Sequence, residues 1–413
     1  MTIRNEKQEL EKIAISIERK NKDMAKVLRI INRFNIGGPT YNATFLTRYL
    51  HDDFETLLIG GTHEKGEADS LHILEQYGVT PLLISEMQRI PSFKSDRAAY
   101  KKIKQIIEEF KPDIVHTHAA KAGALGRRAA FACNVPIVIH TFHGHVFHSY
   151  FGRFKTFIFK FIERRLAAKS DGIIAISDIQ KRELSEIHKI CEPSKIQVIP
   201  LGFDLEKFHL DKKENRAITR EKFNIESDEI AIAIVGRLAP IKNHSLFLDV
   251  VDEISKKTSK KIRFFIVGDG EEKEKIEKRV LEINEQKLVK IEMTSWIKNI
   301  GEFNAGMDIM CLTSDNEGTP VSLIEAQAGD LPIITTDVGG VRDVILDGQT
   351  GWIVPKNNVS LFTEKLLLLV EDEMERNRLA QNGWNFVEKK FHYTTLVKNM
   401  EDYYRLLLNK KNK

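Results

Sequence analysis

One pattern limits the fold more than any other. Short runs of apolar, mostly β-branched residues stop at a glycine or a polar turn, and helical stretches follow them. Ile230–Val235 is the plainest case: it ends at Gly236 and leads into a helix from about His244. Before residue 205 the same reading applies to Val27–Phe34, Phe54–Ile59, Thr80–Ile84, Asp113–His118, Val135–His140, Gly172–Ile176 and Lys195–Pro200. After it, the strands are Ile262–Val267, Val289–Met293, Asp308–Thr313 and Gly351–Val354. Intervening helices are expected over Ala68–Tyr77, Ser95–Phe110, Gly123–Cys133 and Phe151–Lys169, then in 359–370 and 394–409. Such alternation predicts an α/β fold with doubly wound parallel sheets, whose ligands bind beyond the C-terminal ends of the strands.

At 413 residues the chain exceeds what one hydrophobic core organises, so two domains are expected. The pattern breaks at Pro200–Phe208, and the charged segment 211–228 follows. This gives an extension over 1–25, an N-terminal domain over 26–205 and a C-terminal domain over 206–391. Leu10, Ile13 and Ile17 give the extension the spacing of a short amphipathic helix. With 63 basic and 59 acidic residues the net charge is only +4, too mild for nucleic-acid binding. Cys133, Cys191 and Cys311 have no paired spacing, which fits free thiols in a reducing cytoplasm. No apolar run reaches the 18 or so residues of a membrane span, and the N-terminus begins charged. A cytoplasmic protein is expected, with a membrane surface as its alternative station.

The chemistry concentrates in Ser314-Asp-Asn-Glu-Gly-Thr-Pro-Val-Ser-Leu-Ile-Glu-Ala-Gln-Ala-Gly-Asp-Leu-Pro332. Thr319 is expected to cap a helix that starts near Pro320, because proline suits a first helical position. Glu317 then lies in the loop before the helix and Glu325 within it, a pair suited to the two ends of a polyhydroxylated, phosphate-bearing ligand. Arg237 and Lys242 stand at a strand end beside a helix start, as a doubly anionic phosphate requires. Gly37 and Gly38 turn the first strand into a helix near Thr40, read either as a tight turn or as a phosphate loop; the GxGxxG spacing of a nicotinamide site is absent. Six histidines fall between His116 and His148 without HExxH or a cysteine at ligand spacing, so no metal site is expected. Among them Thr141-Phe-His-Gly144, at a strand end, is expected to face a ligand. The segment 151–169 combines Phe154, Phe157, Ile158, Phe161 and Ile162 with Arg153, Lys155, Lys160, Arg164, Arg165 and Lys169. Two readings stay open for it: an ordinary core helix, or a helix lying on a membrane surface.

Taken in order, Gly236-Arg237 with Lys242, Gly268-Asp-Gly270, Glu317-Gly-Thr-Pro320 with Glu325-Ala326, Leu331-Pro332, Val338-Gly-Gly340 and Asp347-Gly348 with Gly351 resemble the C-terminal signature of retaining glycosyltransferases of family 4, with the GT-B fold. The resemblance implies two Rossmann-like domains facing a central crevice, with the C-terminal helix, 392–413, crossing back to the first. It implies that Arg237 and Lys242 hold a donor diphosphate, that Glu325 binds the ribose, and that Glu317 with Gly318, Thr319 and Pro320 holds the sugar. Gly37 and Gly38 would approach the diphosphate, His143 would contact the sugar, and Trp296 and Ile297 would border the base. The implied activity is metal-independent, retaining transfer from a nucleotide-diphosphate sugar, UDP preferred over GDP, to a glycan or lipid-linked acceptor in cell-surface polysaccharide synthesis. No cofactor is implied. An anionic membrane surface at 151–169 is a further partner, placing the protein on the inner face of the cell membrane. One position departs from the family: Asp330 replaces the usual glycine, and a helix end shifted to Gly329 is expected there. The rival readings are a sugar-nucleotide epimerase on the same fold, a phosphorylase needing a pyridoxal-phosphate lysine, and a non-catalytic carbohydrate-binding protein.

Overall fold

The apolar runs assemble into two parallel sheets in the computed structural model, which describes residues 24–34, 38–62, 70–88, 92–144, 153–285 and 289–411. The first sheet contains β1 Ala25–Arg33, β2 Phe54–Gly61, β3 Leu82–Leu83, β4 Ile114–His118, β5 Ile137–Phe142, β6 Gly172–Ala175 and β7 Ile196–Val198, in the order β3-β2-β1-β4-β5-β6-β7. The second contains β8 Ile230–Val235, β9 Ile262–Val267, β10 Lys290–Thr294, β11 Ile309–Leu312, β12 Ile333–Thr336 and β13 Gly351–Val354, in the order β10-β9-β8-β11-β12-β13. Both orders reverse direction once, between β1 and β4 and between β8 and β11, which is the doubly wound arrangement. β8 and β9 are buried along their whole length, so they read as continuous apolar runs rather than as alternation. Met1–Phe203 and Tyr393–Lys413 make one unit, and Asp204–His392 the other.

Three aspartates at strand starts hold the register. Asp113, Asp171 and Asp308 precede β4, β6 and β11. Each carboxylate accepts the backbone N–H of Lys26, Val138 or Ala231 in the adjacent strand, at 2.8, 2.8 and 2.7 Å. Each aspartate's own N–H is donated to the carbonyl of that same neighbour. A one-residue slip would break both bonds and turn every core side chain to the wrong face.

The C-terminal helix, Tyr393–Lys411, belongs to the first unit. Tyr393 stacks on Phe45 of helix Gly38–Arg48 with ring centroids 5.3 Å apart, and fully buried Tyr404 lies against β4. Other elements differ from the sequence reading. The charged stretch after residue 210 contains a helix, Lys212–Lys222, held by polar contacts: Arg216 and Arg220 both pair with Asp308, and Thr219 donates to the Glu302 carbonyl. Helices Lys273–Glu285, Ile300–Gly306, Glu373–Ala380 and Gly383–Phe391 also complete the second unit. The residues that gave 1–25 its helical spacing, Leu10, Ile13 and Ile17, lie outside the described residues, as do Gly37, His145 and His148 and the side chains of Arg153, Phe154 and Lys155, while Ala25 already belongs to β1. Among the described residues, no helix is long and apolar enough to cross a membrane.

Candidate functional site

The reversal between β8 and β11 brings two loops together in the second unit. One, Gly236–Asn243, leaves β8, and the other, Thr313–Pro320, leaves β11. The hydroxyl of Thr313 donates to the carbonyls of Lys242 and Asn243 at 3.2 and 3.0 Å, and the Asp315 N–H donates to the Ile241 carbonyl at 2.8 Å. Asn243, in a left-handed conformation, caps helix His244–Ser255 through the Leu246 N–H. Lys242 and Glu317 therefore meet: Nζ lies 2.6 Å from Oε1, and the Ser314 hydroxyl donates to the same oxygen at 2.5 Å. Glu317 is only 9% exposed and Lys242 24%, so this pair is much better shielded than a surface ion pair.

Glycines shape the backbone around it. A Cβ on Gly339 or Gly340 would fall 1.9 Å from the Glu317 carbonyl oxygen or 1.8 Å from that of Gly318. The Gly340 N–H donates to the Glu317 carbonyl at 3.0 Å. Only a chain without side chains can come this close, which gives Val338-Gly-Gly340 its physical reason. Gly268, at φ 146°, likewise lies under the Gly236 carbonyl, where a Cβ would sit 2.0 Å away. At Gly318 a Cβ would meet nothing within 4 Å, so the protein's own packing does not require glycine there.

Arg237 is more open. It forms a two-armed pair with Glu271, at 2.8 and 3.0 Å from Nη2, and both side chains are more than half exposed. A pair this exposed contributes at most about 1 kcal/mol, so the guanidinium is readily given up to a stronger anion. Trp296, 59% exposed, and Ile297 follow β10 on the same end of the sheet.

The expected cap at Thr319 is not formed. The helix is Val321–Ala328, with Pro320 in the capping position and no side-chain cap bond. Proline supplies the fixed φ, here −73°, at the residue before the first turn. Glu325 keeps some solvent contact, but its carboxyl lies under protein atoms. Burial pushes its pKa up to about 7, with Lys207 opposing the shift. The helix does end at Gly329, yet the left-handed residue is Asp330 itself, at φ 57°. The Leu331 N–H reaches the Ala326 carbonyl and the Asp330 N–H that of Gln327, the Schellman pattern. An aspartate tolerates this conformation better than most residues, and its carboxylate is paired with Lys212.

In the first unit, Gly38 opens helix Gly38–Arg48. The described histidines of the cluster are hydrogen-bonding residues, with His116, His118 and His140 fully buried and His143 partly so. His116 is held at both ends, by Tyr404 Oη at Nδ1 and Thr141 Oγ1 at Nε2, each at 2.7 Å. His140 Nδ1 contacts Thr117 Oγ1 at 2.8 Å, and His118 Nδ1 contacts His143 Nε2 at 2.8 Å. Burial lowers the pKa of all four, that of His143 to about 3, so each is neutral near pH 7. Ala119, directly after His118, has φ 64° and ψ 163°, a region that costs a residue with a Cβ about 1–3 kcal/mol. Sequence reasoning gave no role of their own to Ser314, Glu271, Lys207 and His118. Ser314 lies three residues before Glu317 in the same motif and was open to detection; the others depend on pairing across elements.

A family model described as Glycosyltransferase Family 4 matches residues 36–207, and one described as Glycosyl transferases group 1 matches 215–386. The chain is 29% identical over 327 residues to the UDP-Gal:alpha-D-GlcNAc-diphosphoundecaprenol alpha-1,3-galactosyltransferase of Escherichia coli, covering 78% of this chain and 82% of that protein. It is also 29% identical over 344 residues to the capsular polysaccharide biosynthesis glycosyltransferase CapM of Staphylococcus aureus, covering 81% and 87%. A glycosyltransferase structure from Rickettsia africae matches with a TM-score of 0.77 at 20% identity, over 94% of this chain and 99% of that one. Anabaena HepE in complex with UDP-glucose matches at 0.73 and 17%, over 92% and 99%. These structural likenesses identify the GT-B fold.

The Glu325 carboxyl sets a pH dependence. Its pKa is about 7 folded against an ordinary 4.5, so the folded protein holds a proton that the unfolded chain releases. Without ligand, stability therefore falls as pH rises from about 4.5 to about 7. Glu325→Gln should match the wild type near pH 4 and be the more stable protein at pH 8. Denaturant unfolding followed by tryptophan fluorescence checks this, since Trp296, Trp352 and Trp384 all lie in the second unit.

Proposed function

The chain belongs to the glycosyltransferases of family 4, and from that membership we propose that it moves a sugar from a nucleotide-diphosphate donor, UDP-linked, to a lipid-linked or glycan acceptor in cell-surface polysaccharide synthesis. The observation that carries this reading is the Lys242–Glu317 contact inside a loop built for close backbone approach. Breaking a glycosyl–phosphate bond places negative charge on the departing diphosphate, and fixed cations stabilise that charge directly. Lys242 is the shielded point charge and Arg237 the adaptable fork. Both are neutralised by carboxylates in the unligated protein. A diphosphate takes Arg237 from Glu271, and it adds to Lys242 without displacing a buried partner. Glu317, with Gly318, Thr319 and Pro320, then holds the sugar, Glu325 takes the ribose hydroxyls, and Trp296 and Ile297 border the base. Glu325 accepts hydrogen bonds best as a carboxylate, so nucleotide binding is coupled to loss of its proton.

These two cations supply the charge that a divalent metal supplies elsewhere, so we take the reaction to be metal-independent, and retaining as the family resemblance implies. Proton NMR of the first product formed should show the donor's anomeric configuration, and the rate should persist in excess EDTA. An inverted product, or activity lost to chelator and restored by a divalent ion, contradicts the reading.

The acceptor side rests on helix Arg153–Lys169. Phe159 and Leu166 pack inward, but Phe157, Ile158, Phe161 and Ile162 are 63, 39, 47 and 39% exposed. Arg165 stacks on Phe161 at 4.7 Å, and Lys169 stands exposed beside this face. An apolar stripe flanked by cations fits an anionic membrane surface, where each Lys or Arg adds about 1 kcal/mol. On this reading the enzyme works on the inner face of the cell membrane. Replacing both Phe157 and Phe161 by serine should lower sedimentation with phosphatidylglycerol vesicles by roughly tenfold or more, since each buried phenylalanine contributes about 1.5–3 kcal/mol. Equal binding by variant and wild type would remove the membrane assignment.

A further inference from the structure

We infer that Glu271 is a displaceable stand-in for the donor diphosphate, holding Arg237 before the donor binds and taking it back as UDP departs, so that the product leaves faster. This rests on the proposed contact of Arg237 with the diphosphate and adds to it the group that ends that contact. The backbone brings the two residues together. β8 and β9 are parallel neighbours over their whole length, and the loops that leave them stay tied beyond the strands. The Leu238 N–H donates to the Asp269 carbonyl at 3.0 Å, and the Glu272 N–H donates to the Leu238 carbonyl at 2.9 Å. Between these ties lies Gly270, where a Cβ would fall 2.4 Å from the Leu238 carbonyl oxygen. Asp269 Oδ1 accepts the Gly270 N–H at 2.8 Å and closes the turn. Arg237 directly precedes one tied residue and Glu271 the other, so both side chains leave one fixed frame. Within it the guanidinium reaches the carboxylate from Nη2 at 2.8 and 3.0 Å and from Nε at 3.3 Å.

The site's other cation–carboxylate pair is built the opposite way. Glu317 also takes the Ser314 hydroxyl on the oxygen that faces Lys242, and parting that pair would strand a shielded charge. Glu271 and Arg237 stand in water, which solvates both as soon as they part. The hydrogen bond from Arg237 holds the Glu271 carboxyl below the usual carboxylate range, so it is anionic at pH 7. A diphosphate carries more charge than one carboxylate and takes the guanidinium fork from it. The displaced Glu271 cannot withdraw, because its backbone remains tied to the loop of Arg237. Its attraction to Arg237 and its repulsion of the neighbouring diphosphate then both act against retention of the nucleotide. Donor and UDP are weakened alike, so the working donor concentration rises while product release quickens.

Surface plasmon resonance of UDP over the immobilised full-length protein reads affinity and release rate together. Glu271→Gln should bind UDP roughly three- to tenfold more tightly at low salt, chiefly through slower release, because an exposed ion pair no longer competes for Arg237. The gain should shrink at about 1 M salt, where the screening length is about 3 Å. Arg237→Met should weaken UDP binding, and adding Glu271→Gln to it should change nothing further. A purely structural role for Glu271 would weaken binding on substitution, not tighten it. Unchanged or weaker UDP binding by Glu271→Gln, with Arg237→Met impaired, overturns the inference and leaves the diphosphate contact standing. Equal tightening in both backgrounds also overturns it, as does tightening with an unchanged release rate. If Arg237→Met binds UDP like the wild type, the assignment of the diphosphate to Arg237 itself falls.

Discussion

The contact between Lys242 and Glu317 depends on the strand order of the second sheet. Because the order reverses between β8 and β11, the loops leaving these two strands lie side by side, and Thr313 at the start of one bonds the carbonyls of Lys242 and Asn243 at the end of the other. Lys242 and Glu317 are 75 residues apart in the chain, yet they meet at 2.6 Å with Ser314 on the same oxygen. Glycines complete the same loops from either side, Gly268 where the backbone of Gly236 passes and Gly339 and Gly340 where that of Glu317 and Gly318 passes. One topological constraint thus yields a shielded cation, a shielded carboxylate and a loop that a ligand can approach closely.

Much of this was legible in the sequence. Strands buried on both faces announce themselves as apolar runs, and glycine or charge at their ends marks the loops, so Arg237, Lys242, Glu317 and Glu325 were within reach. Gly339 and Gly340 were legible as a motif, although their reason, the carbonyls of Glu317 and Gly318, is a contact across the sheet. The helix Lys212–Lys222 was not legible. Its one large apolar residue, Ile218, is 42% exposed, and polar contacts to Asp308 and Glu302 hold it instead. Thr319 was misjudged because Pro320 itself occupies the capping position. At Asp330 the sequence showed a departure, and the structure explains it: aspartate accepts the left-handed conformation and finds Lys212.

The histidines of the first unit mark the limit of spacing arguments. Six in a short stretch suggest a shared task, but the period of a strand cannot tell a clamped core ring from one that meets a ligand. His116 is held by Tyr404, 288 residues away on the returning helix, and that pairing leaves no local trace. Only with the partners known does the order emerge, from Tyr404 through His116 and His118 to His143.

The central claim is that the two glutamates of one motif divide the donor between them, and calorimetric titration of UDP tests it most directly. Glu325→Gln should bind UDP roughly ten- to a hundredfold more weakly, as expected when hydrogen bonds from ribose to a carboxylate, about 1.5–3 kcal/mol, are lost. Glu317→Gln should bind UDP within about threefold of wild type, because its proposed partner is the sugar that UDP lacks, while turnover falls. If Glu317→Gln loses UDP as severely as Glu325→Gln, the division is wrong and the Lys242–Glu317 pair serves the nucleotide alone.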